Sequence, residues 1–227
     1  MLRAESPASI YPLSPSQSQI RNVRSVLDLN RALQGPIDGV IWNRIVPQPV
    51  QNWLDMLVPE HLPDGRFVLE PKLAGPCIEA LFAAHGHAPC PSLRWLSQDV
   101  QTLAEQVTAI DRTERLRLRL EKVDDDACRK MHIDSVVARL ICTYRGPGTV
   151  LGVQTQMAEI EQSVPTGAPI LFKGKLWPSD PPPSLRHRSP RIEGSGLTRL
   201  VLVLESCPDD ALRPTHDSVY EGGSISR

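Results

Sequence analysis

Met131-His132-Ile133-Asp134 sets an imidazole and a carboxylate two residues apart, His187 follows 55 residues after the first histidine, and Arg199 lies 12 residues further on in an apolar run. Two histidines and one carboxylate are the donors of a facial metal site. Three ligands on one face of an octahedron leave three positions open for oxygen and a bidentate ligand. An arginine embedded among apolar residues needs a partner, because a buried unpaired charge is costly. The carboxylate of a small acid, gripped by the planar guanidinium fork, would supply one. The same residues also admit plainer roles. His132 and Asp134 can form a structural hydrogen-bonded pair, His187 can cap a turn beside Pro190, and Arg199 can pair across a barrel with Glu121 or Asp134.

For the donors to meet, strands must carry them. Residues i and i+2 of a strand project from one face, so His132 and Asp134 point together while Met131 and Ile133 face the other way. The chain changes period near residue 112. Leu116, Leu118 and Leu120 alternate with arginines and Glu121, the pattern of a half-buried strand. Val136 to Tyr144, Pro169 to Phe172 and Leu197 to Glu205 read as further strands, separated by Gly and Pro turns such as Arg145-Gly146-Pro147-Gly148. Before residue 112 the spacing is helical: Gln19 to Leu33, Pro47 to Leu57, the short apolar Pro76 to Ala84, and Ser97 to Ile110 with Ser97 as N-cap. The expected fold class is α+β, a β-barrel core with an N-terminal helical layer. Residues 1–20 and 207–227 read as disordered tails around a single domain, 21–206, whose helical part is 21–110 and whose barrel is 111–206.

The bulk numbers narrow the function. A net charge of −1 and a pI of about 6.6 provide no global basic field for nucleic acid or anionic lipid. No stretch reaches the roughly 18 apolar residues of a spanning helix, and the start Met1-Leu2-Arg3-Ala4-Glu5-Ser6-Pro7 has no apolar signal core. Five cysteines, odd in number and without a C-x-x-C pair, fit reduced cytoplasmic thiols. Twenty-two prolines, about twice the usual share, favour many short elements over a few long helices.

Several residues stand near the constellation. Tyr144 and Arg145 are candidates to line the site, although the turn they open needs no further reason to exist. Cys128, four residues before His132, is a third candidate, and as a thiolate it would favour zinc over iron. Cys77, His85, His87 and Cys90 form a loose cluster unlike a familiar zinc spacing. Lys173 and Lys175 read as solvent-facing, Trp177 as a loop anchor, and the arginine run from Arg112 to Arg119 as a solvated face.

The progression Gly167-Ala168-Pro169-Ile170-Leu171-Phe172, His187, Arg199, together with the H-x-D of His132 and Asp134, resembles the prolyl-hydroxylase-like branch of the 2-oxoglutarate and iron dependent oxygenases. Ala168-Pro169 stands where that branch has Gly-Asp. The phrases C-R-K-x-H-x-D, T-Y-R-G-P-G-T, L-F-K-G-K-L-W-P, H-R-S-P and G-x-T-R-L-V-L-V-L are similar, more closely and from about residue 25 to 206, to a bacterial family described as a domain of unknown function. The oxygenase resemblance implies a double-stranded β-helix (jelly-roll, cupin-like) that binds Fe(II) through His132, Asp134 and His187 and 2-oxoglutarate through Arg199. It further implies oxidative decarboxylation of the keto acid coupled to hydroxylation or demethylation of an unknown substrate. The alternative expectation is a non-redox, zinc-binding cupin-like protein in metal homeostasis or ligand binding.

Overall fold

Along β4 (Arg115–Val123) the leucines at 116, 118 and 120 are buried, while Arg117, Arg119 and Glu121 turn to the opposite face. That parity organises the whole molecule. The computed structural model describes residues 19–126, 128–154 and 158–207. The expected tails lie outside the described residues except at their inner ends, where Ile20 already sits in a strand and Cys207 closes one.

A main sheet of seven strands runs in the order β1 (Ile20–Val23), β2 (Gly39–Trp42), β8 (Ile170–Lys173), β5 (Ala138–Arg145), β10 (Arg199–Cys207), β4 and β3 (Gly65–Leu69). Only the β1–β2 pairing is parallel. A smaller antiparallel sheet, β7 (Glu159–Ser163), β6 (Val150–Gln154) and β9 (Arg186–Arg188), packs over the middle of it. Four helices, α1 (Asp28–Leu33), α2 (Gln48–Met56), α3 (Ala74–Ala84) and α4 (Pro91–Asp111), pack with the other side. Two cores result. Leu118, Leu140, Leu171 and Leu202 pack with the helices, whereas Ile141, Ile170, Phe172, Val201 and Val203 face the small sheet and Leu151. Successive residues of one strand thus serve different cores. Among the described residues no helix is long and apolar enough to cross a membrane.

The architecture is mixed α/β, and the half expected to be mainly helical also donates β1, β2 and β3 to the main sheet. Short apolar runs such as Val40-Ile41 carry no period long enough to separate strand from helix. The expected helix from Gln19 begins instead as β1, because Ile20 and Val23 pair alongside β2 and are buried there. Helix α4 starts six residues before Ser97, with Pro91 in its first turn and the Cys90 thiol accepting from the Leu93 amide at 3.4 Å. Leu93 and Leu96 extend the stripe of Val100, Leu103 and Val107, so the buried face itself dictates the earlier start.

Two residues placed at the surface or near the site by sequence lie in the helix-side layer. Lys173 is buried, its Nζ donating to the Gly35 carbonyl at 2.9 Å and lying 5.1 Å from the Trp177 ring, so Trp177 does serve as a loop anchor. Its position beside Leu171 on an inner strand leaves it no route to solvent except along that face. Tyr144 is wholly buried and donates to Asp99 at 2.6 Å, and Asp99 also holds Arg44 in a bidentate ion pair. Arg44 in turn stacks on Trp42 and Trp95. This network fastens α4 to the sheet. It is polar but fully paired, which is the condition for a buried charge to be tolerated.

Candidate metal centre

His132 and Asp134 lie in the connection between β4 and β5, whose described residues form turns and bends in place of the expected strand. A single bridge holds it: the His132 amide donates to the His187 carbonyl at 3.0 Å and the His187 amide donates back at 2.9 Å. The link adds His132 to the edge of the small sheet beside β9. The Lys175 amide donates to the Asp134 carbonyl at 2.8 Å, tying the segment to the chain beyond β8. Backbone hydrogen bonds alone therefore bring residues 55 apart in sequence into register.

The three side chains converge. One donor atom from each of His132, Asp134 and His187 lies within 4.8 Å of the others, and the described residues contain no other such group of His, Cys, Asp and Glu. His132 Nε2 is 3.3 Å from Asp134 Oδ1, and His187 Nε2 is 3.1 Å from Asp134 Oδ2. Ligands that are neighbours around an ion at about 2.1 Å stand about 3 Å apart, so both imidazole–carboxylate edges suit one first-row cation. The tautomer of His132 suits it too. Its Nδ1 lies 2.8 Å from the Lys130 carbonyl and is committed as donor, leaving the Nε2 lone pair for a metal.

Burial and charge prepare the other two donors. Burial pushes the His187 imidazole below its ordinary pKa, against the opposing pull of Asp134, and so keeps it in the neutral form that ligates. For Asp134 burial favours the protonated acid, but the neighbouring His187, and after it the charge of Arg139, outweigh it and hold the carboxyl below the usual range. Asp134 Oδ2 forms an ion pair with Arg139 Nη1 at 2.6 Å without a hydrogen bond. It and His187 Nδ1 are buried polar atoms left without a hydrogen-bond partner. Phe172 closes the inner side of His187, with ring centroids 4.5 Å apart, while His132 remains one-third exposed. The donor set is thus sealed behind and open in front.

Arg199, the first residue of β10, is 2% exposed. Its Nε donates to the Pro147 carbonyl at 2.7 Å, Nη2 to Thr143 Oγ1 at 3.2 Å and Nη1 to Ser189 Oγ at 3.5 Å. The turn expected at Gly146 presents that Pro147 carbonyl, and Gly146 takes a φ of 76° there. No carboxylate pairs with Arg199 among the described residues: Glu121 serves Arg66 and Arg119, and Asp134 serves Arg139. The ion pair considered from sequence is therefore not formed. Burial alone brings the guanidinium down to about 10, so it stays charged at neutral pH. Arg199 and the three donors line one cavity of about 170 Å³.

The remaining sequence candidates divide. Cys128 lines the cavity but stands outside the convergent donor group. Tyr144 and Arg145 do not line it. Strand parity turns Tyr144 toward the helices, and Arg145 Nη1 donates to the Leu57 carbonyl at 2.5 Å. In the Cys77–Cys90 segment His85 and His87 are engaged with the Leu81 and His61 carbonyls, and Cys90 caps α4. Sequence reading missed Arg139, which bonds Asp134, and Thr143, which bonds Arg199. Parity along β5 was the available signal, since 139, 141 and 143 share one face.

The family model described as Protein of unknown function (DUF1826) matches residues 24–205. No curated protein matches the sequence. Among solved structures, a dioxygenase for auxin oxidation from rice is similar at 12% identity and a TM-score of 0.50, over 84% of this chain and 83% of that one. Dioxygenase for auxin oxidation 1 from Arabidopsis thaliana, solved as its 2-oxoglutarate binary complex, is similar at 8% identity and a TM-score of 0.52, over 84% of this chain and 93% of that one. At such identities the likeness is one of fold.

Proposed function

The chain belongs to that family, Protein of unknown function (DUF1826), and we propose that it is a metal-dependent oxygenase with a double-stranded β-helix core. It uses Fe(II) and 2-oxoglutarate to hydroxylate or demethylate its substrate. His132, Asp134 and His187 hold the metal, and Arg199 holds a carboxylate of the keto acid. The observation that carries the reading is the sharing of one cavity by a three-donor face and a buried guanidinium with no carboxylate of its own. A fold shared with dioxygenases, one of them a 2-oxoglutarate complex, supports it.

Bound to the three donors, ferrous iron would supply the activation of dioxygen that accompanies decarboxylation of the keto acid to succinate and carbon dioxide. The chain's own residues prepare for that chemistry. His187, and to a lesser degree Arg139, keeps Asp134 anionic, burial keeps His187 neutral, and Thr143 with Pro147 orients the Arg199 fork. Ile141, Val201 and Val203 give the cavity apolar walls that limit water. Cysteines that form no disulfide among the described residues support a cytoplasmic setting.

Adding Fe(II) and then 2-oxoglutarate under anaerobic conditions is expected to produce the weak visible charge-transfer band of a metal–keto acid chelate. Bound metal without a band would count against the oxygenase. The zinc reading draws on Cys128 at the cavity wall. Stoichiometric zinc in protein purified without added metal, unaltered by iron and ascorbate, would favour it instead.

A further inference from the structure

Arg119 and Arg139 line the metal cavity and also a wider groove, of about 440 Å³, that opens over the β3 edge of the main sheet. A ladder of alternating charge crosses its floor. Arg139 forms ion pairs with Asp134 at 2.6 Å and Glu205 at 2.5 Å, and Arg119 pairs with Glu205 at 3.1 Å. Glu121 is shared between Arg119 at 3.6 Å and Arg66 at 2.9 Å. Every acid in the ladder is therefore engaged, and so are three of the four arginines.

Arg117 is the fourth. It faces the groove because it shares its side of β4 with Arg119 and Glu121. Its register partners are Val68 on β3 and Glu205 on β10. It is half-buried and has neither an ion pair nor a side-chain hydrogen bond among the described residues, and Val68 beside it is 47% exposed. The arginine run is thus no mere solvated face. It offers one uncommitted planar fork next to the exposed Val68, linked to the donors through Glu205, Arg139 and Asp134, and such a fork fits carboxylate or phosphate oxygens.

We infer that this groove is the substrate site and that the substrate is an organic anion. Its carboxylate or phosphate pairs with Arg117, and its apolar body crosses Val68 and Val203 toward His132, Asp134 and His187. The role as substrate site rests on the oxygenase reading above, whereas the preference for an anion rests on the groove alone.

Calorimetric titration of the metal-free full chain with octanoate, octyl phosphate and octanol tests the inference. The two anions are expected to bind saturably, and octanol at least about tenfold more weakly. Arg117→Glu should weaken octanoate and octyl phosphate binding about tenfold, and Arg117→Lys should keep part of it. Equal binding of octanol, no binding of either anion, or binding of both anions that is unchanged in Arg117→Glu would each overturn it. Melting curves of Arg117→Gln and Arg117→Glu identify any loss that is merely unfolding. The two readings fail separately: binding through Arg117 without a chelate band removes the oxygenase, and a band without anion binding removes the anionic substrate.

Discussion

Asp134→Ala is expected to weaken divalent-metal binding about 100- to 1,000-fold. Closed four-ligand sites carry about 10–16 kcal/mol of apparent binding free energy, so one anionic ligand accounts for a few kcal/mol of it. In the wild type, metal at 1,000 times its Kd should raise stability by about 4 kcal/mol, and the variant should show only about 0.4 to 1.4 kcal/mol of that rise at the same concentration. The metal-free fold should suffer less. Arg139 loses one partner but retains Glu205, and the His132–His187 backbone bridge needs no carboxylate. The structural alternative has a different signature. If Asp134 served only to orient two imidazoles, the variant would melt lower without metal, and neither protein would respond to metal.

Arg199→Met separates function from stability in the opposite sense. The loss of a buried, charge-assisted fork should weaken 2-oxoglutarate binding about 100-fold or more, read as loss of the chelate band or as a raised KM. Metal binding should persist, since Arg199 contacts none of the three donors. Stability should fall by only about 1–3 kcal/mol, because a buried cation with no carboxylate partner contributes little to folding and methionine fills similar volume. The cost is the Pro147 carbonyl and Thr143 hydroxyl left without the donors of Arg199. Arg199→Lys keeps the charge but not the fork, so it should recover only part of the affinity. A variant that unfolds while the wild type ignores 2-oxoglutarate would make Arg199 a structural residue.

What the sequence made legible follows from how information is held in it. Leu116, Leu118 and Leu120 announce their strand because one face of β4 is buried over three successive pairs. The long apolar run of β10 does the same. His132, Asp134, His187 and Arg199 could be singled out because chemistry of that kind needs few residue types at definite spacing. Their convergence, however, depends on one backbone bridge to β9, a strand of three residues that no periodicity reveals. β1, β2 and β3 are nearly as short, and long-range pairing, not local preference, makes them strands. Which face a residue occupies was the harder question. A one-residue change of parity decides that Tyr144 looks into the helices and Thr143 into the cavity. The same rule turns the β4 arginines toward the groove, although by composition they resemble an ordinary solvated surface. Lys173 misled for a similar reason: lysine reads as exposed, and only its place on an inner strand buries it.

We propose that two imidazoles and a carboxylate hold one metal ion at the wall between the two sheets. Anomalous scattering at the iron edge, from crystals grown anaerobically with Fe(II), tests it most directly. A single peak is expected within bonding distance, about 2.1 Å, of His132, Asp134 and His187, and facing Arg199 across the cavity. An iron peak elsewhere in the protein, or iron-soaked crystals in which the three side chains keep their mutual contacts with no peak between them, would contradict it.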